Sequence, residues 1–263
     1  MTNIVESYES YREEDRLTTN NARKIEYITT VKAFNNILPK HGRLLDCAAG
    51  TGIYSFYFAR KGYDVIALDI TPRHINFILE KLRKESVNMQ ARVNNAIDLS
   101  DYKDETFDVV LCMGPFYHLT DEKLRVDCIN ECKRVLKKGG ILAIAYINKF
   151  YIFPAVALNN HKFLNRELAK TIINTGTILH SDSNCFWTDA YFSTPEEMES
   201  LLSNINLELV DHLAVDGISP ILYEKIDCMN ENEFNVWCEY HDMVCREKSI
   251  LGISNHNLIF GRK

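Results

Sequence analysis

No Lys/Arg block interrupts the 263 residues, and acids outnumber bases 36 to 30, for a formal charge of −6. A binder of bulk nucleic acid carries a basic face, so the acidic balance counts against DNA or RNA as the main partner. No apolar run approaches the roughly 20 residues that span a bilayer, the longest stretches being of the order of Ile141–Ile147. The first residues, Met1 to Arg12, are polar and show no secretory pattern, so a cytoplasmic location without membrane attachment is expected. Internal repeats and low-complexity tracts are also missing. The eight cysteines are scattered rather than framed, which in a reducing compartment suits small buried apolar residues. What remains is 46% hydrophobic and 25% charged, enough for a sizeable core in one α/β domain with insertions.

The hydrophobic pattern changes along the chain. Residues 22–38 read as a helix with Ile25, Ile28, Val31 or Lys32, Phe34 and Leu38 near one face, stopped by Pro39. From Arg43 the pattern alternates between short apolar strands and helices. Strands are expected at 43–46, 64–70, 91–95, 107–113 and 141–147, and helices at 53–61, after Thr71-Pro72, and at 121–136. Thr71 is placed as an N-cap with Pro72 at the first helical position, and Lys137-Lys-Gly-Gly140 as the turn that ends the last helix. Strands that are apolar throughout and alternate with helices predict a parallel sheet covered on both faces. Such sheets bind ligands beyond the carboxyl ends of their strands. After Lys149 the alternation stops. Residues 150–190 are aromatic and irregular, a helix starts at Thr194-Pro195, strands are expected at 207–215 and 257–261, and 223–250 reads as helical. The expected organisation is one domain over 1–263, with a helical cap at 1–40, a core at 41–149, and insertions at 150–190 and 216–250 over the strand ends.

Leu44-Leu-Asp46-Cys-Ala-Ala-Gly50-Thr-Gly52 carries the chemistry. An acid ends the first strand, and a small-residue turn then lets backbone approach a ligand. The helix that follows points its amino end at the same place. A second acid, Asp69, ends the next strand 23 residues later, the spacing of a βαβ unit whose acid accepts from ribose hydroxyls. A nicotinamide enzyme needs Gly-x-Gly-x-x-Gly at such a turn, but here Ser55 stands at the third position. Asp46 would also repel a pyrophosphate. A carboxylate there suits a ligand with a cationic amino group and no phosphate, which describes S-adenosylmethionine.

At these residues the chain resembles the class I S-adenosylmethionine-dependent methyltransferases of small-molecule type. Asp46-x-Ala48-x-Gly50-x-Gly52 is similar to the family's acid-x-Gly-x-Gly-x-Gly turn, with Ala48 replacing the first glycine. The resemblance implies a Rossmann-like, doubly wound seven-stranded sheet of order 3-2-1-4-5-7-6, with helical insertions over the strand ends. It implies S-adenosylmethionine as cofactor, S-adenosylhomocysteine as product, and cofactor contacts at Asp46, Ala48, Gly50, Gly52, Asp69, Ile70, Asn95, Ala96 and Met113. Asn95 stands where the family often has Asp. The loop after the fourth strand, Met113 to Leu119, is where the family brings the methyl donor close to the acceptor. Phe192 to Glu199, Leu207 to Val210 and His256 to Lys263 resemble the late helix and final strand pair.

The acceptor is expected to be a small molecule methylated on O or N. His118 is the first candidate for a base, because its side chain titrates near neutrality, with Tyr117 and His180 behind it. Tyr117, Tyr146, His180 and Trp187 are expected to line an aromatic acceptor pocket, with Tyr151 and Tyr191 near them. Tyr8 and Tyr11 are candidates for a segment closing over the cofactor. Asp98 is read as a loop or capping carboxylate. Cys238, His241 and Cys245 share a helix face by spacing, which suits a buried stripe better than a metal site, and Cys128 and Cys132 are read the same way. The competing readings are a thiol-dependent arsenite methyltransferase, which needs three cysteines converging on the cofactor sulfur, a nicotinamide oxidoreductase, and a non-catalytic cofactor-binding protein.

Overall fold

A computed structural model describes residues 2–11 and 13–263. Five strands are parallel: β1 (Arg43–Asp46), β2 (Asp64–Asp69), β3 (Met89–Val93), β4 (Phe107–Cys112) and β5 (Leu136–Ile147). A two-stranded ribbon of β6 (Thr177–Ile178) and β7 (Ala190–Tyr191) stands apart from them. The last two strands, β8 (Glu208–Ala214) and β9 (His256–Arg262), complete the main sheet, with β9 antiparallel to both β5 and β8. The sheet order is β3-β2-β1-β4-β5-β9-β8. Counting only its seven members, this is the 3-2-1-4-5-7-6 order that the resemblance implied. The order reverses between β1 and β4, so a crevice opens above their carboxyl ends.

Side-chain alternation divides the core. Leu44, Val65, Val109, Leu111, Ile141 and Ala143 meet α2 (Asn21–Ile37), α3 (Ile53–Arg60) and α4 (Pro72–Leu82) through Phe34, Phe58, Ile75 and Ile78. Leu45, Ile66, Val110, Leu142 and Ile144 meet α5 (Glu122–Val135) and α8 (Pro195–Asn204) through Ile129, Val135, Met198 and Leu202. The central strands are therefore covered twice, which explains their unbroken apolar sequences. Local signals fix the helix starts. The Asp121 side chain accepts the backbone N–H of Leu124, and Thr194 with Glu197 forms a reciprocal capping box at α8.

The remaining helices are α1 (Thr2–Ser10), α6 (Lys149–Asn159), α7 (Arg166–Thr175), α9 (Tyr223–Asp227), α10 (Glu231–Val244) and α11 (Lys248–Leu251). Among the described residues no helix is long and apolar enough to cross a membrane.

Four expectations need correction. The 150–190 segment is not irregular, because α6, α7 and the β6–β7 ribbon occupy much of it. β5 starts at Leu136 rather than Ile141. Lys137-Lys-Gly-Gly140 lies within it, where the pairing register shifts and Lys137 binds Asp108 at 2.9 Å. On α2, Ile28 is exposed, while Thr29 and Thr30 take the buried positions. Thr71 is the N-cap of α4 by position, but its side chain makes no capping bond. The Asp69 carboxylate accepts the Thr71 N–H instead, at 2.8 Å.

Candidate active site

The turn after β1 is pinned to its neighbouring strands. Cys47 N–H donates to the Leu111 carbonyl at 2.9 Å, and Ala49 N–H to the Leu68 carbonyl at 2.8 Å. Gly52 then takes a left-handed φ of 84°, and a Cβ there would sit 3.0 Å from Ile78. The position therefore needs glycine for both backbone and space. Ala48, the departure from the glycine pattern, is accommodated from the other side. Its methyl lies against Gly114, where a Cβ would come within 3.0 Å of it. The methyl that the turn gained is matched by one absent from the β4 loop.

The two strand-end acids face the same crevice with different partners. Asp69 accepts Gly50 N–H and Thr71 N–H, both at 2.8 Å, and lies 3.2 Å from His74 Nδ1. Its carboxylate is thus aimed by backbone, with lone pairs left over for a ligand. Asp46 is 2% exposed and accepts the Ser55 hydroxyl at 2.7 Å. Burial pushes its carboxyl up to about 7, against the help of Ser55. A buried acid with so little compensation favours a cationic neighbour. Ser55, which first counted only as a missing glycine, is the residue that orients Asp46.

These groups line one cavity of about 770 Å3. That is near the top of the roughly 300–1,000 Å3 range of small-molecule sites. Asp46, Ala48, Gly50, Asp69 and Ile70 line it, as do Asn95, Ala96 and Met113. Gly52 does not, because it packs inward on α4. Asn95 is set by its own turn, its Oδ1 accepting Ile97 N–H at 3.2 Å. Asp98 is a loop carboxylate that accepts Ser100 N–H at 3.1 Å.

Tyr117, His118 and Trp187 form a second wall. The Tyr117 and Trp187 rings stack with centroids 6.3 Å apart, and the His118 ring lies 4.8 Å from each. His118 Nδ1 is 3.2 Å from the Asp189 carbonyl, which only accepts, so Nδ1 carries the proton. Its Nε2 then accepts the Tyr8 hydroxyl at 2.8 Å. Burial lowers the imidazole to about 4, so it is neutral near pH 7. Tyr8 also meets the rings of Tyr11 and His74 edge-on. Arg73 anchors the segment by donating to the Tyr11 carbonyl at 2.6 Å and pairing with Glu14.

Tyr146 and His180 fall outside the cavity. Tyr146 is fully buried on the α8 face of β5, bonded to His212 Nε2 at 2.8 Å, because strand alternation turns it away from the crevice. His180 is exposed, its backbone N–H donating to Asp189 Oδ1 at 2.6 Å. Tyr151 is likewise not among the lining residues, and Tyr191 stacks under Arg125. Cys112, Cys128 and Cys132 bring their sulfurs within 4.8 Å of one another, with Cys47 Sγ 3.8 Å from that of Cys132. Of these only Cys47 borders the cavity, so no trio converges on a ligand there. Cys238, His241 and Cys245 do not gather into a site. His241 and Cys245 are buried, while Cys238 packs beside Phe234 and Ile226.

The sequence reading missed a charged group that lines the same cavity. Arg16 donates to Glu13 at 2.8 Å and to both oxygens of Glu26 at 2.9 and 3.0 Å. His256 Nδ1 lies 2.9 Å from Asp216 and 3.5 Å from Glu26. These residues come from four separate places in the chain, and no local spacing links them.

The "Methyltransferase domain" family model matches residues 45–144, the segment from β1 into β5. The ubiquinone biosynthesis O-methyltransferase of Xanthomonas axonopodis pv. citri is 28% identical over 204 residues, covering 78% of this chain and 74% of that protein. The enzyme of the same name from Xanthomonas oryzae pv. oryzae (strain PXO99A) is 30% identical over 182 residues, covering 69% and 66%. Among solved structures, a SAM-dependent methyltransferase from Methanosarcina mazei superposes with a TM-score of 0.59 at 21% identity, covering 88% of this chain and 96% of that one. The 1,6-didemethyltoxoflavin-N1-methyltransferase of Burkholderia thailandensis, solved with bound 1,6-didemethyltoxoflavin and S-adenosylhomocysteine, gives 0.58 at 15% identity, covering 100% and 86%. With the strand order and the acid-flanked turn, these likenesses settle the family: the chain belongs to the class I S-adenosylmethionine-dependent methyltransferases.

Proposed function

We propose that residues 1–263 act as one small-molecule methyltransferase unit, and that the cavity holds S-adenosylmethionine and an O or N acceptor together. The observation that carries this reading is the pair of acids on one wall, each suited to a different part of the cofactor. Asp69, aimed by two backbone N–H groups, accepts from the ribose hydroxyls. Asp46, buried and short of compensation, meets the methionine ammonium. Asn95 and Ala96 flank the adenine, Ile70 packs beside the ribose, and Ala48, Gly50 and Met113 border the chain that carries the sulfur. The Gly50 amide donates to Asp69, so it is not free to cradle a pyrophosphate, which counts against a nicotinamide cofactor.

When bound, S-adenosylmethionine supplies a methyl group already activated by the sulfonium. The chain's task is therefore alignment and exclusion of water. Tyr117 and Trp187 hold a flat acceptor against the β4 loop, and the segment around Tyr8 closes over it. His118 is neutral with its Nε2 lone pair inward, as a proton acceptor must be, but Tyr8 occupies that lone pair. It serves as a base only when Tyr8 yields to the acceptor. The O-methyltransferase names of the curated relatives support a small hydroxyl-bearing acceptor, with a nitrogen acceptor as the alternative.

The test is transfer of a labelled methyl group from S-adenosylmethionine to a panel of phenols and amines. Acceptor-dependent label that falls in His118→Ala, with S-adenosylhomocysteine affinity kept, is expected. Tight cofactor binding with no transfer across the panel would favour a non-catalytic binding protein.

A further inference from the structure

Arg125, on the first turn of α5, is not a lining residue of the cavity, yet it grips two elements that wall it. Its Nη1 donates to the Leu119 carbonyl at 2.7 Å and to the Thr120 carbonyl at 2.9 Å. Leu119 directly follows His118, so these bonds pin the end of the loop after β4. The guanidinium carbon lies 3.5 Å from the centre of the Tyr191 ring on β7. Tyr191 stands two residues beyond Asp189, whose carbonyl accepts His118 Nδ1–H at 3.2 Å. Trp187 is on the same stretch of chain, between β6 and β7. One side chain thus ties the loop that presents Tyr117 and His118 to the insertion that presents Trp187 and Asp189.

The helix is a firm place to hold from. Asp121 caps its start, and Cys128, Ile129, Cys132 and Val135 are buried against the sheet. The β6–β7 ribbon has no place in that sheet. Its connecting loop is closed on itself, with Asp189 Oδ1 accepting the His180 N–H at 2.6 Å and Asp182 Oδ2 accepting the Leu179 N–H at 3.1 Å. A shift of the ribbon would therefore carry Trp187 and the Asp189 carbonyl with it. The contacts also need arginine. A planar guanidinium lies flat on an aromatic ring while its edge donates to two carbonyls, which an ammonium has no plane to do. The Asp189 carbonyl in turn decides which nitrogen of His118 carries the proton, because the bond made at Nδ1 fixes the state of Nε2.

We propose that Arg125 is a positioning residue for methyl transfer. It locks β7 against the loop after β4, and through that lock it sets the His118 tautomer and the seating of Trp187 on Tyr117. This assignment rests on the methyltransferase reading of the same cavity.

The test compares the full wild-type chain with Arg125→Ala and Tyr191→Leu, each isotope-labelled at the histidine ring nitrogens. Long-range proton–nitrogen spectra at neutral pH show which nitrogen bears the proton, and His118→Gln identifies the His118 signals. Wild type should carry the proton on Nδ1 alone. Both variants should shift the two His118 nitrogens toward averaged values, as the proton divides between them. Label transfer to the panel of phenols and amines should fall roughly tenfold or more in Arg125→Ala, with S-adenosylhomocysteine affinity within about twofold of wild type. Tyr191→Leu leaves both carbonyl bonds of Arg125 in place, so it reads the lock even where Arg125→Ala does not fold. An unchanged tautomer in either folded variant, or a wild-type His118 protonated on Nε2, would overturn the proposal while the cofactor reading stands. So would a tenfold loss of S-adenosylhomocysteine affinity in the variants, which would mark a general loosening of the site. A wild-type chain that binds no S-adenosylhomocysteine, or transfers no label, would instead bring down the methyltransferase reading, and the proposal with it.

Discussion

Replacing Asp69 by Ala removes the carboxylate that joins the Gly50 turn, the start of α4 and the proposed ribose site. Two effects separate on inspection. The ligand loses two charge-assisted hydrogen bonds, each about 1.5–3 kcal/mol. Water entering the gap recovers part of this, leaving a loss of about 3–4 kcal/mol in cofactor binding, or roughly 100- to 1,000-fold at 1.4 kcal/mol per decade. The free protein loses the acceptor for two backbone N–H groups, but these border an open cavity that water can reach. The cost to folding should then stay near the lower end of about 1–3 kcal/mol. Calorimetry with S-adenosylhomocysteine and a melting curve read the two effects apart. Asp69→Asn keeps one carbonyl oxygen and should fall between wild type and Asp69→Ala in both. An affinity for Asp69→Ala within threefold of wild type, with melting unchanged, would refute the ribose assignment.

Asp46 gives a prediction in pH. Its carboxyl sits at about 7 in the folded chain because burial penalises its charge, well above its unfolded value. The folded state therefore holds this proton more tightly, and the free protein gains stability from this group as pH falls through 7 toward 4. Cofactor binding runs the opposite way, since an ammonium prefers the ionised acid. Affinity should drop roughly fivefold between pH 7 and pH 6, and the dependence should vanish in Asp46→Asn. Tyr8→Phe deletes the hydroxyl bonded to His118, worth about 0.5–1.5 kcal/mol, so hydrogen exchange across α1 should quicken with a two- to tenfold loss of cofactor affinity. Unaltered exchange would show that Tyr8 does not hold the segment. Gly52→Ala combines a left-handed φ with a 3.0 Å approach to Ile78 and should cost about 2–3 kcal/mol, lowering the melting temperature by roughly 5–10 °C. A shift under 2 °C would mean the turn relaxes freely.

The residues explain what could be read in advance. β2 and β4 are nearly continuous apolar runs, so their type followed from hydrophobicity, whereas the sheet order came only from the resemblance. Asp46 and Asp69 were readable because a strand end is marked in sequence and their separation is fixed by one βαβ unit. Tyr146 misled because its neighbours in sequence sit near the crevice, whereas alternation along β5 sends it to the opposite face. His180 misled by composition, since an aromatic stretch does not say which side chains turn inward. The Lys137 to Gly140 stretch resembles a helix stop, yet a register shift carries it into β5. The Arg16, Glu26, Asp216 and His256 group had no signal to find. Its members are polar residues on unrelated elements, joined only by the closing of the N-terminal segment over β9.

The central claim is that this cavity is a site for S-adenosylmethionine, and direct calorimetric binding to the unmodified chain tests it. Micromolar affinity for S-adenosylmethionine and S-adenosylhomocysteine, with none for NADH, is the expected result. Binding of NADH alone would contradict the account and leave Asp46 a structural residue.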